Sequence, residues 1–486
     1  MVHAPKADKM NRHRFKIDSA GTYHALSRSK DYPDTYSITV YLKEALKSDI
    51  LQQAVNDTMK RIPTANVSLK HNFFGVYHEE MSTPPQIEPA ENNPIACDYY
   101  SDYGEHQLRV LYGENFFTLE VMHSVCDGRG LTQILKCLTT RYFELLDVHT
   151  DKANPTDIVC GEPADPEESE NALARHGKNA STPKAKSGEQ EKVAKSKDKA
   201  ETGMNTEAGK PEAGVNNNAT PDASSIKTAY RLPVQPQQMK TGLAPTPLQT
   251  FTQVIDLASL KSVAKEHGAS INEYLLTQIF LAMAEERKEQ HAKEKQVDEL
   301  PIVATIPVDA RNFLPSKTLL NFVIDKRVVM PETKTNIAPK SETPSDTKPD
   351  NKAQIDTDQF NEILQSIRDQ FTAVDKDFIL EEVTWIYRGM KLLSILPKGL
   401  QTLFTRLLQR IESRKCSTMF SNLGLVKLPP KIEDRIQMME FVIGRMNNIP
   451  YHFTCITVGN VLTLTTASTV PNCTIAQRLH HRITQD

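Results

Sequence analysis

The fold class predicted by the sequence is an α/β (α+β) chain of two similar lobes, on three observations. Strand-like and helix-like segments are mixed in both halves of the chain. Its 486 residues are too many for one ordinary core. A tract from 160 to 227, rich in Ala, Lys, Glu, Asn, Pro, Ser and Thr and lacking Phe, Tyr and Trp, lies between the halves. Such a tract cannot bury enough apolar surface to offset about 1 to 2 kcal/mol of backbone entropy per residue, so a disordered linker is expected there. The expected lobes are 11–159 and 228–486, with 1–10 a disordered N-terminus and 332–356 a disordered loop inside the second lobe.

In the first half, residues 36–42 are β-branched and aromatic and read as a strand. A helix follows, with Ser48 or Asp49 as its cap and Ile50, Leu51, Ala54, Val55 and Met59 as its apolar stripe, until Pro63 ends it. Residues 107–112 and 115–121 read as two strands of a hairpin about Gly113. After Gly128, Leu131, Ile134, Leu135, Leu138 and Tyr142 recur at helical spacing.

The second half uses the same vocabulary. A strand is expected over 250–255, a helix over 257–267, and a long helix capped by Ser270 through Ala284. Residues 302–307 and 322–324 are strand-like, and 453–458 and 461–466 flank Gly459-Asn460 as a hairpin. Leu400, Leu403, Phe404, Leu407, Leu408 and Ile411 form one apolar stripe among basic residues. A core-facing helix is the first reading of that stripe, and a mobile flap or a membrane-surface contact the second.

Composition narrows the function classes. A formal charge of −3 argues against a nucleic-acid binder that works by broad phosphate neutralisation. The polar, basic stretch from Met1 to Lys16 lacks the apolar run of a secretion signal or membrane span, so a cytoplasmic protein is expected. The seven cysteines contain no C-x-x-C pair, which suggests reduced thiols, no zinc site and no bound metal.

The chemistry concentrates at His123-Ser124-Val125-Cys126-Asp127-Gly128, between the strand ending at Val121 and the next helix. A neutral imidazole on such a turn accepts a proton near pH 7, and a well-placed base is worth roughly 10² to 10⁴ in rate. Asp127 suits the turn itself, as a local or arginine-bound carboxylate, and Gly128 is expected to relieve a φ constraint. Cys126, inside the motif, reads as a packing residue.

The spacing resembles the H-x-x-x-D-G motif of the superfamily that contains chloramphenicol acetyltransferase, peptide-synthetase condensation domains, plant BAHD acyltransferases and alcohol acetyltransferases. Val308-Asp309-Ala310-Arg311 with Asn321-Phe322, and Ser421-Asn422-Leu423-Gly424, resemble later segments of that family in the same order. Met122 stands where peptide-synthetase domains carry a further histidine, and the Asp-Phe-Gly-Trp-Gly motif of the plant branch is absent, so the alcohol acetyltransferase-like branch is favoured. The resemblance implies two chloramphenicol acetyltransferase-like lobes with a tunnel between them. It implies that His123 deprotonates an alcohol that attacks an acyl-CoA thioester, with acetyl-CoA as cosubstrate and no tightly bound cofactor. It further implies that Asp127 pairs with Arg311 across the lobes, and that Asn321, Ser421 and Asn422 line the substrate channel. A monomer is expected. The alternatives are a thioester carried by a separate acyl carrier protein, and a catalytically silent two-lobed scaffold.

Overall fold

The computed structural model describes residues 13–90, 99–181, 223–231, 247–294, 300–332, 349–446, 449–470 and 474–485. The N-terminal segment 1–10 lies outside the described residues.

Among the described residues the first half forms β1 (Arg14–Phe15), α1 (Ser19–Ser27), β2 (Thr35–Leu42), α2 (Ser48–Arg61), β3 (Val67–Asn72), β4 (Gly75–Glu80), β5 (Ile87–Pro89), β6 (Leu108–Tyr112), β7 (Phe116–Met122), α3 (Gly128–Glu144) and α4 (Ala172–Ser181). The second half forms β8 (Gln249–Asp256), α5 (Leu257–Glu266), α6 (Ile271–Glu294), β9 (Val303–Asp309), β10 (Val323–Val329), α7 (Pro349–Thr372), α8 (Lys376–Leu393) and α9 (Lys398–Ser413). It continues with β11 (Thr418–Leu425), α10 (Pro430–Glu433), β12 (Ile436–Ile443), β13 (Tyr451–Val458), β14 (Val461–Ser468) and α11 (Thr474–Gln485).

Three sheets result, ordered β1-β4-β3, β12-β2-β7-β6-β5 and β10-β9-β11-β13-β14-β8. Strand β2 is sandwiched between β12 and β7, and nearly every one of its residues is buried. A strand covered on both faces reads as a continuous β-branched and aromatic run, which is what residues 36–42 show. Against that sheet, Leu51, Ala54 and Val55 of α2 share a core with Leu131, Ile134 and Leu138 of α3. The β13–β14 hairpin turns on Gly459, whose φ of 55° is the left-handed conformation a two-residue turn needs.

Helix starts differ in how they are held. Ser270 and Glu273 form a reciprocal capping box at the start of α6, each side chain taking the other's backbone N–H. Helix α2 departs from its expected cap: its flanking residue is Lys47, without a side-chain cap, while Ser48 is already helical. The Tyr142 hydroxyl accepts the Lys47 N–H, so a tertiary contact holds the residue that enters the helix.

The lobe boundaries differ from the expected ones in two respects. Strand β12, from the second half, pairs along the whole of β2, and Val426, Leu428, Ile432 and Phe441 enter the first lobe's core. The first lobe is therefore completed by a segment nearly three hundred residues downstream of Val148, and no cut near 160 separates the two cores. The start of the expected linker is also folded: α4 places Ala172 and Leu173 in a cluster with Phe322, Ile379 and Val383. Arg61 grips Glu168 with two bonds of 2.7 and 2.8 Å just before that helix. Two apolar residues suffice here because the rest of the cluster comes from α8, β10 and the connection from Ala310 to Phe322, which composition along the segment cannot register. At the other end, Ile226 and Ala229 pack on Val303 and Val329. The intervening 182–222, and 333–348 of the expected loop, lie outside the described residues, and α7 begins at Pro349, inside that expected loop.

Candidate active site

Two lobes meet at the strand-to-helix turn that follows β7. Asp127 is the N-cap of α3, its Oδ1 accepting the Gly130 N–H at 2.9 Å. Its Oδ2 accepts from Arg311 Nη1 at 2.8 Å and from the Phe322 N–H at 2.8 Å, both from the second half. The Asp127 and Arg311 side chains are only 1% and 3% exposed, so this is a buried ion pair across the lobes. Arg311 is otherwise saturated by Asp309 and by the carbonyls of Thr318 and Leu320. Burial opposes the guanidinium charge, but the carboxylates of Asp127 and Asp309 outweigh it and hold its pKa above the ordinary value.

Gly128 differs from expectation. It is an ordinary helical residue without positive φ, and its missing side chain makes room for Leu423 of β11, which a Cβ would meet at 2.5 Å. Gly130 is tighter still, since a Cβ there would stand 2.1 Å from the Leu319 carbonyl oxygen. Close approach of α3 to the second lobe, rather than backbone freedom, is what these glycines provide.

His123 is half-buried, and its backbone N–H donates to the Asp34 carbonyl at 2.9 Å. Asn321 holds the imidazole. The Asn321 Nδ2 group donates to the His123 carbonyl (3.1 Å), which can only accept, and to Asp18 Oδ2 (3.2 Å). That orientation leaves Oδ1 facing His123 Nδ1 at 3.0 Å, so Nδ1 carries the proton and Nε2 keeps its lone pair. Asp18 is itself anchored, capping α1 through a 2.7 Å bond from the Gly21 N–H, and its burial raises its pKa.

Three side chains that the sequence did not single out complete the surroundings. The His24 ring stacks on His123, with centroids 3.9 Å apart and planes 9° from parallel. Asp34 Oδ2 lies 2.8 Å from His24 Nδ1, and Asp34 adopts a left-handed backbone at φ 61°. Tyr36 tilts against His123 at 4.9 Å while its hydroxyl donates to the Cys126 carbonyl at 2.7 Å. Burial pushes the His123 imidazole down to about 4, the His24 charge pushes the same way, and Asp34 opposes both. Burial also opposes a charge on His24, but the Asp34 carboxylate outweighs it and raises the His24 pKa. Asp34 in turn falls below the usual carboxylate range, its own burial outweighed by His24. Burial lifts the Cys126 thiol to about 12, which leaves it an un-ionised packing group.

Pro33-Asp34 is a turn signal and Asp18 lies three residues before Gly21, so both were accessible to local reading. Nothing local marks His24. Asn321 is thus a holder of the histidine rather than a bare channel residue. Ser421 is buried on β11, and Asn422 beside it bonds Asn272 at 2.7 Å and the Gly424 N–H at 2.8 Å. The residue of this segment that reaches the histidine turn is Leu423. Two cavities, of about 180 and 200 Å³, lie elsewhere, one beside Leu42 and Tyr142 and one beside Phe251 and Ser468. Among the described residues no cluster of His, Cys, Asp and Glu is arranged to hold a metal ion.

No family model matches the chain, and no curated protein matches it in sequence. Solved structures do match its fold. The TRI3 trichothecene 15-O-acetyltransferase from Fusarium sporotrichioides aligns over 98% of this chain and 94% of its own, with a TM-score of 0.57 and 10% identity. The first condensation domain of the CDA synthetase aligns over 97% and 95%, with a TM-score of 0.52 and 10% identity. The chain has the condensation-domain fold. Polyketide synthase associated protein 5 from Mycobacterium tuberculosis shares the condensation-domain fold across 96% of both chains, at a TM-score of 0.55 and 13% identity.

Proposed function

We propose that this protein is an acyltransferase that moves an acyl group, acetyl in the first instance, from coenzyme A to an alcohol, with His123 as general base. The observation that carries the reading is the Asn321 bond, which leaves the His123 Nε2 lone pair unclaimed on a half-buried ring. The alcohol proton passes to Nε2 as the alcohol oxygen attacks the thioester carbonyl carbon. The tetrahedral intermediate then collapses, the carbon–sulfur bond breaks, and the proton on Nε2 goes to the departing thiolate. A low imidazole pKa serves the second step, because the imidazolium of His123 is a strong acid beside the leaving group. Coenzyme A and the acceptor are substrates in this reading, and the reaction needs no bound cofactor.

The test is release of free thiol from acetyl-CoA by purified protein with a panel of alcohols, wild type against His123→Ala. Alcohol-dependent thiol release that falls by 10² or more in the variant is expected. Equal rates would refute the base assignment. Turnover only with an acyl group on a carrier protein would replace coenzyme A as donor. No turnover, together with no rise in Tm at millimolar coenzyme A, would favour a silent scaffold.

A further inference from the structure

Helix α9 is inside out. Its buried residues are Gln401 and Thr405, while Leu400, Leu403, Phe404, Leu407, Leu408 and Ile411 all face solvent. At 3.6 residues per turn those six fall within an arc of about 140°. The core-facing reading of this stripe is therefore overturned. Leu403 and Leu407 are 61% and 52% exposed, too much for side chains resting on a core.

The apolar surface does not stop at the helix. The Lys398 N–H donates to the Phe73 carbonyl and Gln401 Nε2 to the Phe74 carbonyl, both at 2.8 Å, so the tip of the β3–β4 hairpin sits beside the first turn of α9. Phe73 and Phe74 there are about two-thirds exposed, as are Leu392 in the last turn of α8 and Ile395 on the connection that follows. Contiguous apolar patches of this kind mark interaction surfaces.

Charge says which kind. From 384 to 415 the chain carries seven Lys and Arg against one acid, Glu412, in a protein whose net charge is −3. Glu412 is itself neutralised by Arg327 and Lys415, each at 2.8 Å. A second copy seated on this face by two-fold symmetry would set one basic rim against another. An apolar helix face framed by Lys and Arg instead matches the interface of an anionic bilayer, with side chains at acyl depth and cations among headgroups. No helix among the described residues is long and apolar enough to cross a membrane.

We infer that α9, with Phe73 and Phe74, docks the protein on an anionic phospholipid surface, lying in the plane of the interface. The docked face adjoins the His123 site through α1, since Arg406 Nη2 donates to the Arg28 carbonyl at the end of the helix that carries His24. The docking itself is independent of the acyl-transfer reading.

The experiment is co-sedimentation of the full chain with phosphatidylcholine vesicles, with and without phosphatidylserine. Binding is expected only with phosphatidylserine and should weaken as salt is raised. Leu403→Ser with Leu407→Ser should reduce it about 100-fold, and Arg410→Glu on the order of tenfold. All three side chains are exposed, so an unchanged Tm certifies the fold of each variant. Wild type that stays in the supernatant with phosphatidylserine vesicles overturns the inference, and so does equal binding by wild type and variants. A wild-type dimer in light scattering that both variants disperse, without vesicle binding, overturns it in favour of a second copy.

Discussion

Replacing Asp127 by alanine removes the carboxylate on which the two lobes converge. Three interactions disappear together: the cap on the Gly130 N–H, the bond to the buried Phe322 N–H and the ion pair with Arg311. Loss of an N-cap costs about 1 kcal/mol, an orphaned buried amide about 1 to 3, and a broken buried ion pair about 3 to 5, a figure that already contains part of the others. Asp309 still faces Arg311 Nη1 at 2.9 Å, so the guanidinium keeps one counter-charge. A total of about 4 kcal/mol follows. With an unfolding entropy near 2.1 cal/mol/K per residue, 486 residues give about 1 kcal/mol/K, and Tm should fall by about 4 °C. Calorimetry of Asp127→Ala, Arg311→Ala and the double variant reads this directly. The double variant should melt well above the additive expectation, because it leaves no buried charge unpaired at this contact. A single variant within about 1 °C of wild type, or strict additivity, would refute the idea that the pair is a structural clasp.

Asn321→Ala should lower kcat on the order of 100-fold with little change in KM, since the ring loses its orienting bond but the pocket wall remains, and steady-state kinetics separates the two. The acid limb of kcat/KM should lie near pH 4, because His123 is the active base only when deprotonated and its pKa is depressed to about 4. His24→Phe keeps the stack but removes the neighbouring charge, so the His123 pKa rises and the limb should move to higher pH; an unmoved limb in the pH profile would mean that His24 exerts no field there. Gly130→Ala should destabilise by about 3 kcal/mol, because a backbone carbonyl must yield, whereas Gly128→Ala should cost about 1, because the obstacle is the mobile end of Leu423; urea melts of the two rank them.

Much of this architecture was legible along the chain. The β2 run, the α2 and α3 stripes, the Gly459-Asn460 hairpin and the Ser270 cap are local patterns, and local patterns survive into structure when a strand or helix buries the face its period displays. The stripe of α9 shows the limit of that inference. Periodicity reports that a helix has an apolar face, but not whether protein or solvent lies opposite, and here the buried side is the polar one. Likewise β12 carries no mark of its partner, because pairing with β2 is a contact between residues some four hundred positions apart.

For the candidate site, the sequence by itself determined the turn, its histidine and the aspartate that shapes it, since each depends on neighbours within a few residues. Only the tertiary structure decided which nitrogen of His123 is available, through Asn321. It alone brought His24 against the ring and Asp34 against His24, and it recast Gly128 as a point of close approach. Those outcomes depend on distances between segments that are remote along the chain, and on the burial that follows when the lobes close. Charge and pKa at a buried group are set by that enclosure.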